Sequence, residues 1–490
     1  MQVGILWDFI NHGLPFNFLS AFLPKDDIGA ITEAELKENS FKPYRIIVSE
    51  GYDESHWLLS EEKKEGSDYS LLLGELKSYL MDIGNAKTIG KPVLLEDTEK
   101  QWDRVIQGKV FIFEYKTNIK LSLLSQFLTG VGYTGDESMG AYRIVISPWE
   151  DINEHTNTVY ILDEESGNKK LFKYSIPMVS KKFIRSDYEE IIKKLNKSTT
   201  ENTVRSYSIF KEVNPGESSQ FLFPVRKDIP VVMYGGKYEV FPNINSNVPK
   251  AFESKKEYTV EELKSKAEII LGSERHNYDL SEDIYGNIVF KNLNSMYRIY
   301  EDGILEYRYL SEFTEFDKGN ETTAFEKAME FIIKAKLLPQ DAEIYLSSIQ
   351  YDLKDRYRIT FDYRMGDLPV FYNYNLKGKD ISYPGSVINN AITIEVNSKR
   401  VLNCWWMIRS FDAIKDGKKQ YNILFSEFMD LALSKEYYAS LKNDPEFSIK
   451  DIDIRYEITN TTENGQRVEP SWIITTEKGK YYPIPMKAKK

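Results

Sequence analysis

The sequence predicts a multi-domain α+β chain built from antiparallel sheets, each covered by helices, and three observations carry that reading. The chain's 33 Tyr and 26 Phe in 490 residues favour half-buried strands, where an aromatic side chain sets one edge in a core and the other near water. Short runs of alternating polarity recur, as in Ile392, Ile394 and Val396 against Thr393 and Glu395. That period of two marks a sheet with one buried face. Finally, a helix followed by an antiparallel meander occurs twice in the second half, and a helix laid across one sheet face buries the apolar side of both.

Residues 1–23, "MQVGILWDFINHGLPFNFLSAFL", are apolar and aromatic but are interrupted by Asp8, His12, Gly13 and Pro15. A membrane-crossing helix needs about 20 predominantly apolar residues, and this run falls short. It also lacks the basic n-region of a secretory signal, with no Lys or Arg before Lys25. Two readings stand. Either the segment docks on the protein's own body, or it is the outer end of a membrane anchor whose beginning precedes this chain. In the second reading Trp7, Phe9, His12, Phe16 and Phe18 suit the interfacial belt, where aromatic rings sit at headgroup level.

Beyond this stub, "KPYRIIVSE" and "ESHWLLS" read as strands about a turn at Gly51, and Leu72, Leu76, Tyr79, Leu80 and Ile83 recur at helical spacing with Gly84 as C-cap. "GKVFIFEYK" is a strand, "NIKLSLLSQFL" a helix with Asn118 as N-cap, and "GAYRIVISPW" and "NTVYILDEESGNKKLFKYSI" are further strands with a hairpin at Gly167. A helix over 187–195 precedes a polar loop, "NKSTTENTVRS", near a domain edge. The first repeat places Val260, Leu263, Ala267 and Ile270 on one helical face, followed by "GNIVFKNL" and "MYRIYEDGILEYRYL". The second places Phe325, Ala328, Met329, Ile332 and Ile333 on one face, followed by "YRITFDYRMGDLPVF" and "NAITIEVNSKRVLNCWWMIRSF". A further helical run, "YNILFSEFMDLALSKEYYASL", leads into "IDIRYEITN" and "PSWIITTEKGKYYPIPM". The organisation expected is therefore a stub over 1–30, an N-terminal domain over 31–215, a middle domain over 216–318 and a larger C-terminal domain over 319–490.

Composition narrows the function classes. At 41% hydrophobic and 28% charged the chain is ordinary globular protein. A net charge of −11 places nucleic acid last among partners, because a phosphate backbone needs a broad basic face. The single cysteine, Cys404, rules out an internal disulfide and any all-cysteine metal site.

The motifs of catalysis are missing or misplaced. "GVGYTG" at 130–135 matches G-x-G-x-x-G, but a helical run precedes it and a strand follows, the reverse of what a dinucleotide phosphate requires. None of the Gly-Lys pairs is followed by Ser or Thr, so there is no P-loop. His12, His56, His155 and His276 are scattered and form no metal-ligand spacing. Cys404, in "VLNCWWMI", reads as a small packing residue. No catalytic, metal or cofactor-binding residue is assigned. Trp405 and Trp406 stand apart, since neighbours on a strand face opposite ways. One of them enters the core, and the other is either a protein-contact anchor or is covered by the helix that follows.

The aromatic stub running into "KPYRIIVSEGYDESHWLL", the repeated helix-and-meander units and the ending "IDIRYEITNTTENGQRVEPSWIITTEKGKYYPI" together resemble the YycH family, regulators of the sensor histidine kinase YycG, with its relative YycI. The resemblance spans nearly the whole chain as diffuse pattern, without a single diagnostic motif. It implies a short cytoplasmic tail, one transmembrane helix and a large extracytoplasmic part of three domains. It further implies a single-pass membrane location, and action by contact with the kinase and a YycI-like co-regulator. Residues 1–23 would then be the outer end of the anchor, with Trp7, Phe9, Phe16 and Phe18 nearest the membrane. The alternative from a different class is an envelope module that binds a peptide or cell-wall fragment across a sheet edge. An enzyme with a carboxylate site assembled in space is a third.

Overall fold

The computed structural model describes residues 32–486 apart from 52–55, 60–66, 86–90, 151–155, 166–167, 178–183, 201–206, 210–230, 234–237, 250–251, 253–257, 312–317, 336, 340–341, 367, 415–418, 423–424, 433, 435–438, 440–448, 461–465 and 477–479. Two large sheets, each with helices packed on it, make this an α+β protein of several units.

The first sheet has seven antiparallel strands, in the order 56–58, 45–49, 110–120, 140–147, 156–165, 168–177 and 93–94. Its central strands are apolar on both sides, so each face needs a cover. Ile46, Val48, Phe111, Phe113, Ile144 and Ile146 share a core with the helices Asp68–Gly84 and Arg185–Thr200. The opposite residues Ile47, Val110, Ile112 and Val145 pack under Trp102, Val105 and Ile106 of the helix Thr98–Ile106. Asn118 does not cap a helix as its chemistry predicts. The strand continues through Lys120, and the Asn118 amide donates instead to Asp163 at 2.7 Å. The helix starts only at Leu121 and widens into a π turn that ends at Gly130, whose φ of +73° suits glycine.

The second sheet has thirteen strands. Its main path runs 279–282, 288–291, 295–299, 304–309, 401–407, 392–396, 357–365, 368–375, 449–459, 470–476 and 481–485, antiparallel except where 368–375 meets 449–459. Strand 343–350 pairs with 357–365, and 387–388 with 368–375. Leu305 opposes Trp406 and Tyr307 opposes Cys404, so strands on both sides of residue 318, the expected domain limit, hydrogen-bond within one sheet. Residues 238–241 and 244–247 are likewise woven among strands 419–422, 410–413 and 466–468.

The two repeat helices, Val260–Leu271 and Glu321–Ala335, lie on this sheet. A capping box between Thr259 and Glu262 starts the first. Leu263, Ala267 and Ile270 are buried as expected, but Val260, placed on the same stripe by its spacing, is 59% exposed in the first turn. Ala324, Phe325, Ala328, Met329 and Ile332 bury one face of the second helix, with Ile333 half-buried beside them.

The sheets meet along an apolar seam. The helix Glu33–Phe41 delivers Phe41, the π turn delivers Phe127 and the second repeat helix delivers Phe325, with ring centroids 4.8–5.1 Å apart. Because this trio belongs to both units, Phe325→Ala should cost about 3–5 kcal/mol. Equilibrium denaturation followed by tryptophan fluorescence and far-UV dichroism should show one shared transition in the parent, and two in the variant.

Candidate functional site at the seam between the sheets

Beside the aromatic trio lies the densest group of charged side chains among the described residues. Three neighbouring strands of the first sheet set Arg45, Glu114 and Arg143 directly opposite one another in register. Opposite charges at cross-strand positions attract. Arg45 lies 3.2 Å from Glu114, and Arg143 lies 2.7 Å from it. The second sheet answers with the strand Ile449–Thr459, where the run Asp451-Ile452-Asp453-Ile454-Arg455 turns three charges to one face and two isoleucines to the other. Arg45 reaches Asp451 and Asp453, both at 3.3 Å. Lys116 reaches Asp451 at 2.8 Å, and Arg455 lies 3.2 Å from Asp451 and 3.4 Å from Asp453.

Tyr44 closes the group. Its hydroxyl donates to Asp453, and Arg364 donates to its carbonyl at 3.0 Å. Three cations lie over its ring, Lys116 at 4.3 Å, Arg45 at 5.1 Å and Arg364 at 5.4 Å from the centroid. Such contacts strengthen where water is excluded. Asn39, Lys42, Glu343, Tyr345 and Arg364 border a neighbouring concavity of about 10 Å³, near the smallest space that admits one water.

Burial alone would raise the Asp451 and Asp453 carboxyls. The charges of Arg45 and Arg455, joined at Asp451 by Lys116, outweigh it and hold both below the ordinary carboxylate range. Among Arg45, Lys116, Arg143, Arg455, Glu114, Asp451 and Asp453 the cations outnumber the anions by one. Burial, and then the Arg455 charge, push the Lys116 ammonium down to about 8.

The residues singled out from sequence have other fates. Trp7, Phe9, Phe16 and Phe18 lie outside the described residues. Trp405 and Trp406 do face opposite sides of their strand, but both are buried, at 3% and 0% exposure, so neither presents a surface anchor. Trp406 donates its indole N–H to the Tyr363 hydroxyl at 2.7 Å. Trp405 is covered by Tyr383, edge to face at 5.4 Å. Cys404 is buried, and burial pushes its thiol well up. No described helix is long and apolar enough to cross a membrane.

The seam was not anticipated, although its signal is written in the strands. "YRIIV" and "YRIV" each set one charge in an otherwise apolar strand, and "FEYK" and "DIDIR" place charges at alternate positions. Alternation alone reads as a solvated face, and the partner strand lies more than 300 residues away in sequence. These features define a class, a two-sheet α+β scaffold whose main charge cluster joins its parts. No protein-family model matches the chain, and no characterised protein matches it.

Removing one partner from a buried ion network leaves the others uncompensated, at a cost of about 3–5 kcal/mol. Arg45→Met and Asp451→Ala should each lower stability by that amount in chemical denaturation. Asp451 and Asp453 ionise more readily folded than unfolded, so their contribution is present above their unfolded value of about 4 and is lost as pH falls below it. The thermal midpoint should hold from pH 8 to 5 as far as these groups act and fall below about pH 4. The fall should be shallower in Asp451→Asn.

Proposed function

We propose that the protein is a non-enzymatic regulator on the outer face of a membrane, which modulates a sensor histidine kinase of the YycG type by protein contact. The observation that carries this reading is where the N-terminal segment enters the folded body. Residue 32 is the N-cap of the helix Glu33–Phe41, with its side chain and that of Glu35 closing a capping box. Nine residues later Phe41 is wedged against Phe127 and Phe325, where the two sheets meet. A membrane-proximal stub over residues 1–30, carrying Trp7, Phe9, Phe16 and Phe18, would therefore connect by one short helix to the seam.

A regulator of this kind works only by binding one kinase state better than the other. A body fixed by an apolar trio and a buried ion network would present its contact surface in a defined pose relative to the membrane, which keeps the ordering cost of binding low. The resemblance to the YycH family supplies the partner class, the kinase with a YycI-like co-regulator.

The test uses liposomes holding a full-length YycG-type kinase, with autophosphorylation followed by radiolabelled ATP. Tethering the complete chain to the bilayer should change the rate several-fold. Removing residues 1–31 should abolish the effect while circular dichroism stays unchanged. Full regulation by the untethered, truncated protein would contradict the proposal.

A further inference from the structure

The face of the thirteen-stranded sheet opposite the repeat helices holds a second arrangement that the seam does not use. In register across four adjacent strands stand Glu306, Trp405, Thr393 and Thr360, a row spanning three interstrand spacings, about 14 Å. All four are more than nine-tenths buried. Trp405 Nε1, Thr393 Oγ1 and Thr360 Oγ1 have no hydrogen-bond partner. Three unpaired polar atoms side by side in a buried row are costly.

The cover over this row is slight. The segment 376–391, a loop that ends in the short strand 387–388, crosses it, with Lys377–Asp380, Ser382 and Pro384–Ser386 exposed. Tyr383 packs its ring on Trp405, and its hydroxyl approaches Thr393 without forming a hydrogen bond of normal geometry. Glu306 holds the loop near its middle, accepting from the Ser382 amide at 3.2 Å and from the Ser382 and Tyr300 hydroxyls, while Lys379 pairs with Asp302, the Tyr300 hydroxyl donates to the Asp380 carbonyl at 2.7 Å and residues 387–388 pair with strand 368–375. At its neck the Leu376 amide bonds to the Ser386 carbonyl at 2.8 Å. Gly378, at φ +82° with open space around it, provides a flexible joint.

We propose that loop 376–391 is a strap over a binding lane for a neutral, hydroxyl-rich ligand of saccharide type, with Glu306 as its latch. The charged neighbours are already matched. Glu395 is engaged by Arg358 at 2.6 Å, Asn403 at 2.7 Å and Arg356 at 2.9 Å. Asp362 accepts from the Ala391 amide at 3.0 Å and the Asn390 amide at 3.1 Å. What the lane offers an incoming molecule is one indole donor, two hydroxyls that donate or accept, and the aromatic surface that Tyr383 now covers. Sugar rings present that complement, hydroxyls at the rim and an apolar C–H face to stack. When the strap lifts, Glu306 exchanges its Ser382 partners for ligand hydroxyls.

This inference does not depend on the kinase reading. Its test uses the full chain, with N-acetylglucosamine tetramer and maltotetraose as probes. Binding is read by tryptophan fluorescence and calorimetry, and strap opening by hydrogen exchange. Glu306→Gln removes the charged latch and Ser382→Ala removes one of its donors, the latter without touching a buried acid. In either variant amides of 376–386 should exchange about tenfold faster while strands 392–407 are unchanged, and in Ser382→Ala, which keeps Glu306 for the ligand, a saccharide should bind several-fold tighter, because less of the protein is held closed. Trp405→Phe, which keeps an aromatic ring but loses the indole N–H, should bind about tenfold more weakly, a larger relative loss than the modest drop in unfolding midpoint that its smaller ring causes. The proposal is overturned if neither oligosaccharide binds the parent or the latch variants at millimolar concentration. It is equally overturned if Trp405→Phe leaves binding intact, or if the strap exchanges only with global unfolding.

Discussion

The ionic row at the seam constrains everything built around it. Arg45, Glu114, Lys116 and Arg143 come from one sheet, and Asp451, Asp453 and Arg455 from one strand of the other. Taking such groups out of water is unfavourable unless each meets its counterpart with good geometry. Only one relative placement of the two sheets satisfies all of them, since a shift of one residue along either strand would turn the charges to the wrong face. The row therefore contributes specificity of docking more than bulk stability. The driving force comes from the apolar surface beside it, where Phe41, Phe127 and Phe325 stack.

This division of labour explains why the molecule is more unified than its sequence implies. Relative motion between units is the usual expectation when their contact is small and polar. Here a hydrophobic core runs from the first sheet through the helix Glu33–Phe41 into the second, and strands from both sides of the expected limit at residue 318 share a ladder. The N-terminal helix is a component of that junction. From residue 32 the chain passes through one short helix directly to the place where the two sheets join.

Most of the local architecture was legible in the sequence, because it follows from period and punctuation. Short apolar or alternating runs such as 45–49, 140–147 and 392–396 are strands, and the stripes of Leu263, Ala267, Ile270 and of Phe325, Ala328, Met329, Ile332 are buried helix faces. The errors arose where a distant partner outweighed a local preference. Asn118 is a good cap in isolation, but Asp163, two strands away in the sheet, captures its amide. Trp405 could not be assigned because its cover, Tyr383, lies in a loop with no period. The charged seam was invisible for the same reason, since a buried Asp451 and a solvated one have the same neighbours in sequence. The joining of the middle and C-terminal stretches into one sheet depends on the pairing of 304–309 with 401–407, which local pattern does not encode.

The central claim is that Arg45 and Asp451 act on each other across the seam and fix the pose of one sheet on the other. A double-mutant cycle with Arg45→Met, Asp451→Asn and the combination, measured by urea denaturation, tests it most directly. The account predicts a coupling energy of about 2 kcal/mol or more, with the double variant much less destabilised than the two single losses added together. Additive losses, with a coupling energy near zero, would mean that the two charges sit near each other without acting together, and would contradict the account.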